Sequence, residues 1–327
     1  MNNGYKEMLR LFLRDGEVIT VTEISPNCGR KYLYDGGFTE PALGNGLPEH
    51  FPQLVVAGEK SLFFERMAGE PELILVGGGH VAVAAAQMAK LLGFFVHVID
   101  DRPEFANAER FPQADHIVCQ DIAEALSQPF GVNAYYVIVT RGHKDDERAL
   151  EIILQKSSKY IGMIGSKAKV ALTMDRLRGK SYDESCLRRV HAPIGLKIGA
   201  ITPAEIAVSI MAEIIMVLNE SGRDKFQADI LKTAAAEKKS WTMVTILEKQ
   251  GSTPRGAGSK MLVASDGTVL GTIGGGAIEF QAAQRAVLLA GTGKAEVREY
   301  DLSLQDASGL GMVCGGRVKV LLEGSGW

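Results

Sequence analysis

Cysteine is scarce in this chain. Among 327 residues there are four, Cys28, Cys119, Cys186 and Cys314, with no C-x-x-C pair. That spacing argues against a disulfide-built scaffold and a structural zinc site, and it fits a reducing cytosol. An excess of charge is missing too. The formal net charge is −3, which gives no electrostatic basis for binding nucleic acid or an anionic membrane. No apolar run is long enough to cross a bilayer; the longest, around 206–218, is broken by Glu213. Residues 1–16 lack the basic start, apolar run and cleavage site of a signal peptide. A cytoplasmic globular protein is therefore expected, with no nucleic-acid or membrane partner. No Ser–His–Asp or paired-carboxylate pattern can be placed, so no catalytic residue is assigned.

What the chain does have is glycine, at 37 residues, and apolar residues at 46%. Its length suggests about two domains. Residues 72–101 organise the first of them. Residues 73–76 are an apolar run of buried-strand type, and Gly77, Gly78 and Gly79 follow at once. Residues 81–92 are apolar and rich in Ala, as a well-covered helix is, and Gly93 can end it. Residues 94–99 read as a second strand with Asp100 and Asp101 at its tip. Gly77-x-Gly79-x-x-Ala82 fits the dinucleotide-binding fingerprint. Gly77 allows the tight turn, Gly79 lets backbone approach a pyrophosphate, and Ala82 lets helix and strand pack closely. Asp100 stands where a ribose-binding acid belongs, and Asp100 or Asp101 is expected to complete the nucleotide site with Gly77, Gly79 and Ala82. An acid there favours NAD or another adenine nucleotide with an unphosphorylated ribose, although Arg102 lies next to it. Further strand candidates at 116–119, 135–140 and 160–164 alternate with helical stretches, which predicts a Rossmann-type, doubly wound parallel sheet. Cys119 is placed in a buried strand of that sheet. Thr202-Pro203-Ala204-Glu205 opens its last helix with a capping box. Segments 140–146, 165–167 and 191–196 are candidates for lining the same cleft. His143 is a candidate proton carrier or ligand, though a lone His is more often a loop or cap residue.

The organisation expected is a small α+β segment at 1–70, the nucleotide-binding domain at 71–220, a charged linker helix at 221–240 and a smaller α+β domain at 241–327. Segment 20–37 echoes 245–268 in its strand, Ser/Pro/Gly/Arg loop, strand and Asp-Gly turn. The leading segment reads either as a degenerate copy of the last one or as a chance likeness. Three glycine-rich stretches mark the final domain. Residues 251–260 join glycines, hydroxyls and Arg255 in a loop that can receive an anion or simply be solvated. Gly274, Gly275 and Gly276 lie at a strand-to-helix junction, a second candidate anion cradle. Glu279 in the following turn is either a helix-dipole partner or a functional acid. Cys314, between Gly311 and Gly315-Gly316, is a candidate thiolate, soft-metal ligand or sulfur carrier; packing is the commoner fate of a free cysteine.

Together these stretches resemble the xanthine dehydrogenase accessory factor (XdhC/CoxI) family. The resemblance rests on 251–263, 271–279 and 311–316. It rests equally on LILVGGGHVA, VIDDRPEFANAERFPQAD, TRGHKDD, GMIGSK and HAPIGLKIGAITPAEIAVSIMAEI. It implies a maturation factor or chaperone that transiently binds molybdenum cofactor, supports its sulfuration and inserts it into a xanthine dehydrogenase-type molybdenum hydroxylase. The partners implied are that client, a cysteine desulfurase and a second copy in a homodimer. Cofactor contacts would fall to Arg255, Gly274, Gly275, Gly276, Glu279 and Cys314, with Cys314 as metal ligand. Two departures stand out. The CoxI-like unit follows the nucleotide-binding domain instead of preceding it. The cysteine that often follows the family's glycine triplet is here Ala277. An NAD(P)-dependent oxidoreductase would account for 77–101 but not for the later glycine motifs. A non-catalytic nucleotide-sensing module is the third reading.

Overall fold

The computed structural model describes residues 3–34, 47–48, 50–220, 228–236, 239–251, 255–301 and 316–326. The chain divides into two compact units, Glu70–Ser221 and a second assembled from Met1–Gly69 with Gly222–Trp327. The latter draws its first elements from α1 (Asn3–Asp15), β1 (Glu17–Ser25), β2 (Arg30–Tyr34), β3 (Gln53–Ala57) and β4 (Lys60–Ala68). These strands form an antiparallel sheet in the order β2-β1-β4-β3.

The unit Glu70–Ser221 contains strands β5 (Glu72–Val76), β6 (Phe95–Asp100), β7 (His116–Cys119), β8 (Ala134–Ile138), β9 (Tyr160–Met163) and β10 (Val190–His191). Its helices are α2 (His80–Leu91), α3 (Ile122–Leu126), α4 (His143–Leu154), α5 (Lys167–Gly179), α6 (Glu184–Leu187) and α7 (Pro203–Glu220). All neighbouring strands pair in parallel, in the order β10-β9-β8-β5-β6-β7. Counted in sequence this is the 3-2-1-4-5-6 order of a dinucleotide-binding sheet. The doubly wound expectation holds. The central strands are continuous apolar runs because helices cover both faces: Leu73, Leu75 and Val137 face α2 and α7, while Ile74, Val76 and Ile138 face α3, α4 and α5. α2 packs closely because Ala82, Ala85 and Ala89 keep its sheet-facing side thin; all three are fully buried. α7 begins with the expected capping box: Thr202 Oγ1 accepts the Glu205 amide at 3.3 Å, and Glu205 Oε2 accepts the Thr202 amide at 3.0 Å.

The remaining elements are α8 (Ala228–Ala235), β11 (Trp241–Gly251), β12 (Lys260–Ala264), β13 (Val269–Gly271), α9 (Gly276–Leu289), β14 (Ala295–Asp301) and β15 (Gly316–Gly324). Their strands form a second antiparallel sheet, β13-β12-β11-β15-β14, with α9 packed on it through Ile278, Ala282, Ala286 and Leu289. The stretches 1–70 and 241–327, far apart in sequence, share one core, in which Tyr5, Met8 and Leu11 meet Ile230, Trp241, Met243 and Leu262.

Two expectations are corrected. The charged stretch 221–240 is not only a surface linker, because α8 buries Ile230, Leu231, Ala234 and Ala235. Cys119 is exposed, since β7 is an edge strand and the cysteine sits at its end. Among the described residues, no helix is long and apolar enough to cross a membrane.

Candidate functional site: a glycine crevice and a second glycine turn

The crevice at the carboxyl ends of β5 and β8 is where the strand order reverses, the position at which open α/β sheets bind ligands. Gly77 ends β5 with a φ of +109°, and a Cβ there would lie 2.5 Å from the Val139 carbonyl oxygen. Only glycine suits both demands. Gly78 is forced just as strongly, since its Cβ would sit 2.3 Å from the Phe105 carbonyl oxygen. A Cβ on Gly79 would meet nothing within 4 Å. Gly79 caps α2 with extended backbone and no side-chain acceptor, so the helix start is open to an anion.

Asp100 is the inner brace of this loop. It is 2% exposed. Oδ2 accepts the Gly78 amide at 2.8 Å, and Oδ1 accepts the Arg102 amide at 3.1 Å. The Arg102 guanidinium adds Nε to Oδ1 at 2.8 Å and Nη2 to Oδ2 at 2.9 Å. Burial alone would push the Asp100 carboxyl up. The guanidinium and the two amides outweigh it and hold the group below the usual carboxylate range. The acid placed by sequence on a ribose is thus engaged inside the protein. Asp101 is the exposed acid of the pair, 3.4 Å from Arg141 and 3.7 Å from Arg102. Arg102 lies 3.7 Å from the centre of the Phe105 ring, and Arg110 donates to the Gly78 carbonyl at 2.8 Å.

Farther along the same strand ends, Thr140 Oγ1 donates to Asp146 at 2.5 Å, and Lys169 forms an ion pair with this fully buried carboxylate. The side chain of His143 lies outside the described residues. His191 Nδ1 stands 3.5 Å from Glu213 Oε1, while Glu213 Oε2 accepts the Tyr160 hydroxyl and the Gly195 amide, the latter at 2.9 Å. Burial would raise the Glu213 carboxyl, but His191, Tyr160 and Gly195 together lower it.

In the other unit, strand registers bring the glycine-rich stretches to one end of the second sheet. Gly251 pairs with Gly316, Thr245 with Lys260, and Met261 with Gly271. The Thr272 amide then donates to the Lys260 carbonyl at 3.2 Å. Arg255 is half-buried in the loop entering β12. Gly275 caps α9 with φ 76° and ψ −174°, backbone that essentially only glycine adopts. Glu279 holds this turn from inside: its Oε2 accepts Thr272 Oγ1 at 2.5 Å and the amides of Ile273 and Gly275 at 2.9 Å each. Burial works against its charge, but these donors prevail and the carboxyl is lowered. Gly275, Gly276 and Ala277 are exposed, and a Cβ at Gly275 or Gly276 would meet nothing within 4 Å. Phe280, 63% exposed, follows Ala277 by one helical turn. Cys314 lies outside the described residues. No group of three His, Cys, Asp or Glu suited to a metal occurs among the described residues.

Two family models match the chain in this order: the XdhC Rossmann domain over 73–214, and the XdhC and CoxI family over 234–301. The chain belongs to the XdhC family. An uncharacterized Escherichia coli protein, YqeB, is 35% identical over 164 residues, 50% of this chain and 30% of that one. A Bacillus subtilis protein described as a probable xanthine dehydrogenase subunit is 34% identical over 167 residues, 51% of this chain and 47% of that one. The chain therefore spans less than half the length of these curated relatives. A crystal structure described as a xanthine dehydrogenase from Bacillus halodurans is similar over 69% of this chain and 66% of that one, at 22% identity and a TM-score of 0.48.

This XdhC-family chain adds residues that sequence reading alone does not single out as site residues. Gly78, Phe105 and Arg110 are drawn together by the 101–115 segment folding back over the glycine loop. Phe280 beside an open glycine turn is legible in sequence only as an apolar helix residue.

Proposed function

We propose that this chain is a maturation factor for a molybdenum hydroxylase of the xanthine dehydrogenase type. In this reading it binds molybdenum cofactor transiently and supports its sulfuration and insertion into the client, with a cysteine desulfurase as sulfur-supplying partner. Family membership supports the reading, as does the naming of the Bacillus subtilis relative as a probable xanthine dehydrogenase subunit. The observation that carries it is the open turn at Gly275, Gly276 and Ala277, with Phe280 alongside. The first helical amides, at Gly276 and Ala277, have no partner within the helix and suit the phosphate or nucleotide end of a pterin cofactor. An exposed aromatic ring suits its flat heterocycle. When bound, that cofactor supplies a molybdenum centre with sulfur ligands. The chain's own part is to hold the anionic end at the Gly275 turn, with Arg255 on the loop that enters β12 at the same end of the sheet. Cys314 is the thiol proposed for the metal side. An adenine nucleotide such as NAD is proposed for the crevice at Gly77 and Gly79.

The test is to co-express the chain with a xanthine dehydrogenase-type client and measure molybdenum and pterin retained by the purified chain. Retention of both, reduced in Cys314→Ser, together with lower client activity when the chain is absent, is the expected result. No retained molybdenum or pterin, with client activity independent of the chain, would overturn the reading. Steady oxidation of reduced nicotinamide by the chain alone would instead favour an oxidoreductase.

A further inference from the structure

The two antiparallel sheets of the unit built from Met1–Gly69 and Gly222–Trp327 repeat each other strand for strand. Leaving β13 aside, the second runs β12-β11-β15-β14, matching β2-β1-β4-β3 in the first. Their registers agree residue by residue. Thr22 on β1 stands opposite Lys31 on β2 and Phe63 on β4; Thr245 on β11 stands opposite Lys260 on β12 and Leu321 on β15. Pairing shifts at the same place in both, after Glu23 and after Ile246. Glu65 and Glu323 occupy the same position, two residues beyond Phe63 and Leu321.

The contacts between the sheets are reciprocal. Lys31 Nζ of the first repeat meets Glu323 Oε1 of the second at 2.9 Å, and Lys260 Nζ of the second meets Glu65 Oε1 of the first at 2.5 Å. Each lysine also donates to the threonine opposite it, Lys31 to Thr22 at 2.8 Å and Lys260 to Thr245 at 2.9 Å. The four charged side chains are only 4–11% exposed. A separate apolar cluster joins Ile24 and Phe63 to their counterparts Leu247 and Leu321. The helices follow suit: α1 packs on α8, and Met8 and Leu231, which precede the two threonines by the same number of residues, share one core.

Contacts in which residue i of one copy meets j of the other, and j meets i, are the mark of a two-fold interface between like units. Buried ion pairs add little net stability, but they penalise any partner that cannot complete them. The repeats differ outside this face. The stretch between β2 and β3 (35–52) is much shorter than that between β12 and β14 (265–294), and β13 and α9 have no counterpart among the described residues of the first repeat.

We propose that residues 1–69 are a reduced second copy of the C-terminal unit, seated on it as the partner subunit of a two-fold dimer would be. The surface formed by Lys260, Leu247, Leu321 and Glu323 is then a recognition face for another unit of its own kind, filled here from within the chain. At this face the homodimer expected from sequence gives way to self-pairing, which leaves one glycine–glutamate turn where a symmetric pair would have two. The inference does not depend on the proposed function.

The test combines light scattering of the full chain from micromolar to hundred-micromolar concentration with a charge-reversal cycle, Lys31→Glu, Glu323→Lys and both together. Each single reversal is expected to lower the thermal midpoint by roughly 10 °C, and the double reversal to recover most of that loss, with the mass of one chain throughout. A dimer left intact by the reversals, with the same recovery, places its contact elsewhere and supports pairing within the chain. A native dimer that a single reversal converts to monomer would overturn the proposal. So would a double variant no more stable than the singles. Should the reversals fail to fold, the cycle is run with Lys31→Met and Glu323→Leu, where the same absence of coupling counts against it.

Discussion

Glu279 reaches back from the first turn of α9 to the amide of Gly275, 2.9 Å away. The same oxygen gathers Thr272 and the Ile273 amide, so one carboxylate holds a turn whose backbone only glycine tolerates. The acid thus braces the turn from inside, and the Gly274 amide is taken by Thr272 Oγ1 at 3.0 Å.

Glu279→Gln should therefore loosen the turn. The expected cost is about 1–2 kcal/mol at neutral pH, the scale of hydrogen bonds to a charged group reduced by partial exposure. Because folding lowers the Glu279 carboxyl, its stabilisation is complete above the unfolded group's range and is lost as pH falls through the folded value. Hydrogen exchange at Gly275 and Gly276 should be faster in the variant at pH 7 and converge with the native protein in acid. Equal exchange at pH 7 would refute this role.

Neighbouring glycines of the crevice should separate fold from binding. Gly78→Ala drives a Cβ into the Phe105 carbonyl and should lower the unfolding midpoint by several degrees. Gly79→Val meets no described atom at its Cβ, so the midpoint should hold while the bulkier side chain obstructs the open helix start. Titration calorimetry with NAD should then show binding weakened by tenfold or more, about 1.4 kcal/mol. Unchanged affinity in Gly79→Val would remove the crevice as a nucleotide site.

Local geometry is readable in the sequence, and long-range geometry is hidden in it. Gly77, Ala82 and the cap at Thr202 and Glu205 follow from backbone demands confined to a few residues, so their pattern survives in one dimension. Cys119 is misplaced by sequence reading because a four-residue apolar strand looks much the same at an edge as in the centre of a sheet. How Asp100 is held is hidden for another reason. Arg102 is visible two residues away, but its bidentate grip depends on how 101–115 turns back on the glycine loop. The echo between 20–37 and 245–268 is visible as turn chemistry. Its meaning needs the register that sets Lys31 against Glu323 and Lys260 against Glu65.

Asp100 and Asp101 should part in the same way as the glycines. Asp100→Asn removes the charge of a buried carboxylate that accepts two amides and the part-exposed Arg102 guanidinium, and a loss of about 2 kcal/mol is expected. The folded Asp100 carboxyl is lowered, so this contribution holds above the unfolded carboxyl's range and fades as pH drops through the folded value. Asp101→Asn breaks only exposed pairs, worth about 0–1 kcal/mol. It should leave stability unchanged and weaken NAD several-fold, since Asp101 is the acid available to a ribose. Chemical denaturation and calorimetry on the two variants check both halves. An Asp101→Asn variant with native NAD affinity would leave ribose recognition to other groups.

Ala277 lies in the first turn of α9, exposed beside Gly275 and Gly276. Gly275 has no side chain to cap that helix start, and Glu279 takes the Gly275 amide, so the first helical amides, at Gly276 and Ala277, and the helix dipole are what can stabilise an anion. A thiol placed there should ionise more readily than an ordinary cysteine. Ala277→Cys should therefore fold normally, because an exposed position gains one atom without displacing a neighbour. Its new thiol should react with iodoacetamide near pH 7 several-fold faster than Cys119, the exposed reference thiol on an edge strand. Mass spectrometry of the labelled peptides gives both rates in one sample. Under the proposed function, the variant should also retain more molybdenum on co-purification. If the thiol introduced by Ala277→Cys is no more reactive than Cys119, the turn lacks the electrostatic character assigned to it. The case for an anion at Gly275, Gly276 and Ala277 would fall with it.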